Sequence, residues 1–278
     1  MEPENLLIID AGTTFTKVLL ALENEKLFYK FEARSEQCNE AIEDLYIEHN
    51  IKKIIMFGSG AANILIKDEC IDIVTYNELE VVAAVAPLFH FSEALIVSMG
   101  TGTSVSYYSD KEQYHISGTG IAGRTLQNLG ELLLGEPLEE IEQLAQKGDI
   151  SKINLLVGEV YESIDWLSKE ITASNFAKKN SSKEDIAIGL YYLITEPVIS
   201  ILHAFLSGRE KMSVIFCGGA SNSSIIRTII KKYALIYGYE PYFCKNGEFI
   251  PCLSAYRIVT KRDAAELNLE SDNNLKSN

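Results

Sequence analysis

The sequence has little with which to build a structural metal centre or a disulfide framework. Its five cysteines are scattered without a C-x-x-C pair, and its four histidines show no ligand spacing. Structural zinc and iron–sulfur sites need closely spaced ligands, and disulfide frameworks need an even set of cysteines. All three are therefore disfavoured.

Positive charge is also scarce. The 278 residues include 25 Lys and Arg against 39 Asp and Glu, which gives a formal net charge of −14. A field of that sign repels a phosphate backbone, so nucleic acid is disfavoured as a partner. A small anionic ligand would need local devices, either backbone N–H groups or a single Lys or Arg with Mg²⁺.

Long hydrophobic runs and leader peptides are missing as well. The acidic start of the chain leads into an apolar run of four residues at 6–9, which is unlike a signal or transit peptide. No uninterrupted apolar run approaches the ~18 residues that are needed to cross a membrane. We therefore expect a cytoplasmic protein without membrane association.

What the sequence does contain is an α/β pattern in two similar units. Short apolar runs alternate with helical periodicity, which is typical of a mostly parallel or mixed sheet covered by helices. Each unit opens with strand, Gly/Thr turn and strand, at 6–9 and again at 95–99. We predict a duplicated architecture with domains at 1–90 and 91–265, the second with a helical insertion, and a disordered tail at 266–278.

The same periodicities predict the individual elements. Strands are expected at 6–9, 17–22, 27–31, 53–57, 95–99, 103–108, 113–117 and 214–217. Helices are expected at 36–50, 124–134, 138–147, 183–207 and 223–237. The longest helix is predicted to begin with a capping box formed by Ser181 and Glu184.

Three glycine turns follow predicted strands, and the first turn carries charge. Asp10 ends an apolar strand, and Lys17 starts the return strand after the turn Gly12, Thr13, Thr14. The glycine lets a phosphate approach the backbone, and the threonines offer N–H and hydroxyl donors. Lys17 supplies positive charge, and Asp10 can orient Mg²⁺ through its waters. Taken alone, the segment is explained equally well as a hairpin whose polar side chains satisfy the turn backbone.

The other two turns carry no acid. The second turn is rich in hydroxyl groups and consists of Gly100, Thr101, Gly102 and Thr103. The third places Gly218 and Gly219 between a strand and a helix. There the absent side chains would let a flat ring lie on the backbone, so an adenine or a ribose would fit.

In this order the three turns resemble the actin/hexokinase/Hsp70-like phosphotransferase superfold, and within it the type II (eukaryotic-like) pantothenate kinases. Further matching segments lie at 77–80, 118–120, 126–133, 171–176 and 238–243. Together they span almost the whole chain in the family's order. The resemblance implies an α/β fold of two actin-like (ribonuclease H-like) domains with mixed sheets and a nucleotide cleft between them.

The resemblance also implies an activity and its residues. Members of that family phosphorylate the primary hydroxyl of pantothenate with MgATP, the first committed step toward coenzyme A, and they work as homodimers. By resemblance, Asp10 would lie near Mg²⁺ and bind it through water, Lys17 would contact the ATP phosphates, and Glu78 would be the catalytic base. The implied ATP-binding residues are Gly12, Thr13, Thr14, Gly100, Thr101, Gly102, Thr103, Gly118, Gly120, Gly218 and Gly219.

Two of the assigned residues, Glu78 and His115, have alternative explanations. Glu78 follows Asn77, a good N-cap, where an acid stabilises a helix without any chemistry. His115 stands where the family has an Arg that helps to bind the acid substrate and the transferring phosphate; a lone His is more often structural, and it cannot form the fork of a guanidinium. Arg124, at the start of a helix, is a candidate for the missing cation. We assign His115 and Arg124 to substrate binding, with both interpretations of His115 open.

Several rival functions can be weighed on the sequence. A G-x-G-x-x-G pattern at 118–123 lacks the acid-ended strand of a dinucleotide site, and a Walker A motif is absent. Zinc-bearing sugar kinases and iron–sulfur ATPase activators of the same fold are disfavoured by the cysteine spacing. Two rivals stay open: a same-fold kinase for another small hydroxylated acceptor, and a degenerate homologue that binds nucleotide or acyl-CoA and regulates a partner. The joint presence of Asp10, Lys17 and Glu78 argues against the second.

Overall fold

Two five-stranded mixed sheets organise the chain. The computed structural model describes residues 5–23, 25–161, 163 and 167–262. The tail predicted at 266–278 lies outside the described residues. The first sheet and its helices comprise β1 (Leu6–Ala11), β2 (Phe15–Ala21), β3 (Lys26–Glu32), α1 (Glu36–Glu48), β4 (Lys53–Phe57), β5 (Asp72–Thr75) and α2 (Glu78–Ala83).

The second half of the chain builds the second sheet and more helices. Its elements are β6 (Glu93–Met99), β7 (Thr103–Ser109), β8 (Gln113–Thr119), α3 (Gly123–Leu134), α4 (Leu138–Ala145), β9 (Leu155–Leu156), α5 (Val157–Val160), β10 (Thr172–Ser174), α6 (Lys183–Leu206), β11 (Ser213–Cys217), α7 (Ser224–Tyr237), β12 (Glu240–Phe243) and α8 (Ile250–Thr260). Strands β9 and β10 form a separate two-stranded antiparallel sheet.

The two large sheets have the same topology. Their strand orders are β3-β2-β1-β4-β5 and β8-β7-β6-β11-β12. In each sheet the first strand is central, antiparallel to the second strand and parallel to the fourth. All six residues of β1 are buried, since a central strand covered on both faces reads as a continuous apolar run. The predicted duplication is therefore visible in the strand order.

Three apolar clusters hold the sheets and helices together. One lies between the first sheet and α1, and another joins the second sheet to α3, α4, α6 and α7. The third combines residues of both sheets with α2 and α8. Helix α2 packs on β7 and β8, whereas α8 packs on β1 and β2. The two helices contact each other, and the buried Ser254 hydroxyl donates to the Val81 carbonyl at 2.7 Å.

This exchange of helices means that each half covers part of the other half's sheet. Helix α8 follows the second sheet in sequence but packs on the first. The limits 1–90 and 91–265 therefore stay a prediction about the sequence, while the interlocked helices fix the two sheets on either side of a shared core.

The α/β class with two mixed sheets is confirmed, and each predicted strand and helix lies within two residues of an observed one. The capping box is wrong by one residue. Ser182 and Asp185 form it, with each side chain accepting from the other's backbone N–H at 3.2 Å. Ser181 cannot serve because its hydroxyl donates to the Lys152 carbonyl at 2.9 Å.

Helix α6 is long and apolar enough to cross a membrane by length and composition alone. However, 56% of its most apolar window is buried inside the protein. The helix packs against α3, α4 and α7. These contacts identify α6 as a core helix of the second half.

Candidate active site

The turns that follow the two central strands meet each other. The Thr13 hydroxyl donates to Thr101 Oγ1 at 3.1 Å, and Thr14 Oγ1 lies 3.0 Å from the same oxygen. The first and second predicted turns are 87 to 88 residues apart in sequence, yet their hydroxyl groups share one small region. Several hydroxyl donors thus converge where β1 and β6 end.

A buried ion pair lies at the base of the first turn. Asp10 and Lys17 are register partners in β1 and β2, and Lys17 Nζ lies 3.1 Å from Asp10 Oδ2. Burial raises the pKa of Asp10, and the Lys17 ammonium offsets part of that rise. Burial lowers the pKa of Lys17, but the negative charges around it, chiefly Asp10 and also Glu78, outweigh this and raise it. Lys17 is therefore cationic at neutral pH.

Glu78 belongs to the same electrostatic group. It is the first residue of α2, and Asn77 caps that helix by accepting from the Leu79 N–H at 2.9 Å. The Glu78 residue keeps an exposed surface. Partial desolvation raises the pKa of its carboxyl, the Asp10 charge raises it further, and Lys17 and the Ser59 N–H lower it. Glu78 thus combines the structural position predicted for it with electrostatic coupling to both members of the ion pair.

Two glycines lie directly against the backbone at the ends of the central strands. Gly58 has a φ of +95°, and Gly218 has a φ of +87°. A Cβ at Gly58 would lie 2.5 Å from the Ala11 oxygen, and one at Gly218 would lie 2.5 Å from the Met99 oxygen. Only glycine fits these positive φ angles and close approaches without strain.

A cavity of about 340 Å³ opens between the two halves at these turns. The first half contributes Gly12, Thr14, Phe15, Lys17 and Lys30. The second half contributes Gly100, Thr101, Gly123, Arg124, Leu126, Gln127, Leu138, Glu142, Tyr191, Gly219, Ala220, Asn222, Ser223, Ile226 and Glu248. The cavity therefore brings together residues of all three predicted turns.

Six of the predicted ATP-binding residues are not among those that line the cavity: Thr13, Gly102, Thr103, Gly118, Gly120 and Gly218. Thr103 is buried beneath the second turn. A Cβ at Gly118 would lie 2.6 Å from the Thr103 oxygen, and one at Gly102 would lie 3.8 Å from the Cα of Gly120. Gly118 and Gly120 therefore flank the second turn from β8, and the close packing of β7 on β8 explains Gly118 without a ligand.

The two residues predicted to bind the acceptor point to different places. The ring of Tyr114 contacts that of Tyr107 on the face of the second sheet that carries the helical core. The next residue, His115, pairs with Ser106 and so faces the opposite side, where α2 packs. Arg124 instead lines the cavity, and its Nη1 donates to Gln127 Oε1 at 3.3 Å. The structure therefore places His115 on the α2 side of the sheet and Arg124 on the cavity side.

Four titratable residues that the sequence reasoning missed also line the cavity. Lys30 Nζ forms a 2.7 Å ion pair with Glu248 across it and lies 4.5 Å from the centre of the Phe15 ring. Glu142 and Tyr191 lie on α4 and α6. Lys30 and Glu248 are 218 residues apart, so no local pattern could have joined them.

The donor set bears on how a divalent cation would be held. In the described ranges no three His, Cys, Asp or Glu side chains gather as a metal site. One oxygen of the buried Asp10 carboxylate is bonded to Lys17. This set fits an ion such as Mg²⁺ whose ligands are mostly phosphate oxygens and water, with a single carboxylate nearby.

Comparisons with known proteins identify related sequences. The sequence model of the Fumble family matches residues 61–237, which is more than half of the chain. A type II pantothenate kinase from Staphylococcus haemolyticus is 24% identical over 263 residues, covering 89% of this chain and 97% of that protein. Another from Oceanobacillus iheyensis is 33% identical over 163 residues, covering 56% of this chain and 61% of that protein.

Solved structures resemble the fold. The activator of 2-hydroxyisocaproyl-CoA dehydratase from Clostridium difficile, with bound ADPNP, superposes with a TM-score of 0.65 at 15% identity, covering 95% of this chain and 96% of that one. A ROK family glucokinase from Streptomyces griseus, in complex with glucose and AMPPNP, gives 0.57 at 11% identity, with 91% and 98% coverage. The predicted actin-like fold is confirmed.

Proposed function

The chain belongs to the Fumble family, and on that basis we propose that it is an ATP-dependent kinase that phosphorylates the primary hydroxyl of pantothenate. Its curated relatives are type II pantothenate kinases, and the match to the Staphylococcus protein spans 97% of that protein. The product would be 4′-phosphopantothenate, which makes this the first step of coenzyme A biosynthesis.

The joint position of Asp10, Lys17 and Glu78 carries the proposal. Lys17 is held 3.1 Å from Asp10 and is coupled electrostatically to Glu78. Lys17 lines the same cavity as Thr14 and Thr101, the residues through which the two hydroxyl-rich turns meet. Phosphoryl transfer depends on positioning and on charge stabilisation rather than on covalent chemistry by the protein. A cation, a proton acceptor and converging hydroxyl and N–H donors are the parts that such a reaction needs.

The two turns would hold the triphosphate of ATP from both sides. Thr13, Thr14 and Thr101 would exchange their mutual hydrogen bonds for bonds to phosphate oxygens. The nucleoside would lie along Gly219 and Ala220, which line the same cavity without bulky side chains. The ADPNP and AMPPNP bound in two proteins of this fold support the use of ATP.

Glu78 would accept the proton of the attacking hydroxyl. Its pKa is raised by partial desolvation and by Asp10, which makes the carboxylate a stronger base than an ordinary Glu. The Lys17 charge and the Ser59 N–H oppose this rise in the pKa. Lys17 would meanwhile stabilise the charge on the transferring phosphate.

Mg²⁺ would be held at Asp10 through water, with the phosphates as its other ligands. Bound there, it would supply charge neutralisation for the phosphate oxygens. Asp10 is suited to this role because its carboxylate is fixed by Lys17 and buried at the base of the turn.

We place the acceptor on the α2 side of the second sheet, where His115 would interact with the pantothenate carboxylate. A histidine binds a carboxylate less firmly than an Arg does, because it lacks the bidentate fork of a guanidinium. His115→Arg should therefore lower the KM for pantothenate. An unchanged KM would remove His115 from the acceptor site.

A coupled ADP-release assay tests the proposal directly. Purified protein would be offered pantothenate, pantetheine and a panel of sugars and polyols, each with MgATP. We expect turnover with pantothenate. Turnover of another acceptor alone would support the rival kinase activity and overturn the substrate assignment, whereas binding of ATP without turnover of any acceptor would support the regulatory homologue.

The family resemblance also leads us to propose a homodimer in the cytoplasm. We expect light scattering coupled to size-exclusion chromatography to give about twice the 31.0 kDa chain mass. A mass equal to one chain across the micromolar range would contradict the dimer.

A further inference from the structure

We propose that Glu142 selects the nucleobase by accepting a hydrogen bond from the exocyclic amino group of adenine. The inference rests on the proposed function, because it takes the cavity between the halves as the nucleotide site. It goes further by naming a residue that decides which nucleotide is used.

Glu142 lines the cavity together with other helical residues of the second half. The turns around Lys17 and Thr101 form one part of the lining, whereas α4, α6 and the start of α7 contribute Glu142, Tyr191 and Ser223. Leu126, Leu138 and Ile226 line the same cavity with apolar side chains. Such walls suit a flat aromatic ring, and a few polar groups among them decide which ring is accepted.

The Glu142 carboxylate is held in a fixed orientation. The Ser223 hydroxyl donates to its Oε1 at 2.9 Å. The buried Tyr191 hydroxyl interacts with Ser223 in turn and is coupled to the Glu142 charge. Within the described part of the chain, Glu142 Oε2 has no hydrogen-bond partner. One acceptor atom on a fixed carboxylate is therefore left for a ligand.

The chemistry of that single acceptor favours adenine. An ionised carboxylate only accepts hydrogen bonds. Adenine offers its amino group as a donor, whereas the 6-oxo purines, guanine and hypoxanthine, present an oxygen at the same place. Guanine also has two adjacent N–H donors, but these pair best with both oxygens of a carboxylate in a fork. At Glu142, Ser223 already occupies one of the two.

Calorimetric titration with ATP, ITP and GTP tests the inference without any acceptor substrate. We expect the unchanged protein to bind ATP at least tenfold more tightly than ITP or GTP. Glu142→Gln should reduce this preference about tenfold, because an amide can also donate to a 6-oxo group. The matched control is Glu140→Gln, on the exposed face of the same helix, which should leave the preference unchanged.

Ser223→Ala provides a second, independent variant. It frees Oε1 for the guanine fork, so discrimination against GTP should fall several-fold while discrimination against ITP changes less. This variant keeps the inference testable even if Glu142→Gln does not fold.

The outcomes distinguish a failure of the role of Glu142 from a failure of the proposed kinase function. Equal binding of ATP and ITP by the unchanged protein, or an unaltered preference in Glu142→Gln, would overturn the role of Glu142 and leave the kinase proposal standing. Preferential binding of GTP would likewise overturn it, in favour of a carboxylate that reads guanine. Failure of all three nucleotides to bind would overturn the proposed function itself, and this inference with it.

Discussion

The two halves of the molecule share a scaffold and differ in the side chains at the end of the central strand. Each is a five-stranded sheet with the same strand order and a turn after its central strand. In the first half Asp10 faces Lys17 across that turn, whereas in the second half Ser98 faces Ser104. The same backbone therefore carries an ion pair in one sheet and two hydroxyl groups in the other.

The shared scaffold is visible in the backbone as well. Gly58 and Gly218 follow equivalent strands, both have φ near +90°, and each presses on the end of its central strand. Helices α2 and α8 each cover the other half's sheet. The comparison teaches that backbone requirements are common to both halves, while an ion pair at the end of the central strand occurs in the first half and is replaced by two serines in the second.

The largest expected effect is at Glu78. Glu78→Gln removes the proton acceptor and should lower kcat by about 10²- to 10⁴-fold, with ATP affinity nearly unchanged. Steady-state kinetics and calorimetry measure the two quantities separately. Glu80→Gln, in the same first turn of α2, should keep normal turnover. Normal turnover by Glu78→Gln would remove Glu78 as the base.

The next largest effect is expected at Lys17, which pairs with Asp10 near the end of β1, as Ser104 pairs with Ser98 near the end of β6. Lys17→Met should reduce kcat/KM about 100-fold, because electrostatic stabilisation of the transferring group is lost. Ser104→Ala, at the corresponding place in the second half, should reduce it less than tenfold. Because Lys17→Met also leaves Asp10 buried and unpaired, the double variant with Asp10→Asn controls for folding. Equal losses of kcat/KM in Lys17→Met and Ser104→Ala would contradict the proposal that the first half stabilises the transferring group.

The pH profile sharpens the same comparison. Glu78 must be ionised to accept a proton, and its pKa is raised above the ordinary 4.5. Activity should therefore be present at neutral pH and be lost as the pH falls through a value above 4.5. The acidic limb of kcat/KM should move in Glu78→Gln and stay in place in Glu80→Gln. An acidic limb at or below pH 4.5 in the unchanged enzyme would contradict this assignment.

The glycine pair tests the shared scaffold rather than the chemistry. Gly58→Ala and Gly218→Ala each place a Cβ at positive φ and against a carbonyl oxygen, so each should lower the free energy of unfolding by roughly 1–3 kcal/mol. Urea unfolding measures both. A large loss in one half and none in the other would show that the two turns are not equivalent.

The smallest expected effect is at the ion pair that bridges the halves. Lys30 and Glu248 are partly exposed, and such pairs contribute about 0–1 kcal/mol. Glu248→Gln should raise the KM for ATP by no more than about threefold. Glu43→Gln, which breaks the exposed pair with Lys67 away from the cavity, should leave KM unchanged. A tenfold change at Glu248 would mean that the bridge controls access to the cavity.

The sequence predicts best those elements whose position depends on a single strand or a single turn. The buried central strand β1 is a continuous apolar run, so its place could be predicted. Strand β5 was missed because it is an edge strand whose residues are largely exposed, which leaves no apolar signal. Strand β12 and helix α8 were also missed.

The proximity of Asp10 and Lys17 could be predicted from the sequence, but the part of the cavity around Glu142 could not. Asp10 and Lys17 flank one turn, so their proximity follows from a hairpin. Glu142, Tyr191 and Ser223 come together only when α4, α6 and the start of α7 pack around one cavity. Such contacts depend on tertiary packing, which local spacing does not encode.

The central claim is that this scaffold transfers the γ-phosphate of ATP to the primary hydroxyl of pantothenate. The ³¹P NMR spectrum of a reaction containing the protein, MgATP and pantothenate tests it most directly. The account predicts a new phosphomonoester signal split into a triplet by the adjacent CH₂ group, absent with Glu78→Gln. A doublet, which would place the phosphate on the secondary hydroxyl, or no new phosphomonoester from protein that binds ATP, would contradict the claim.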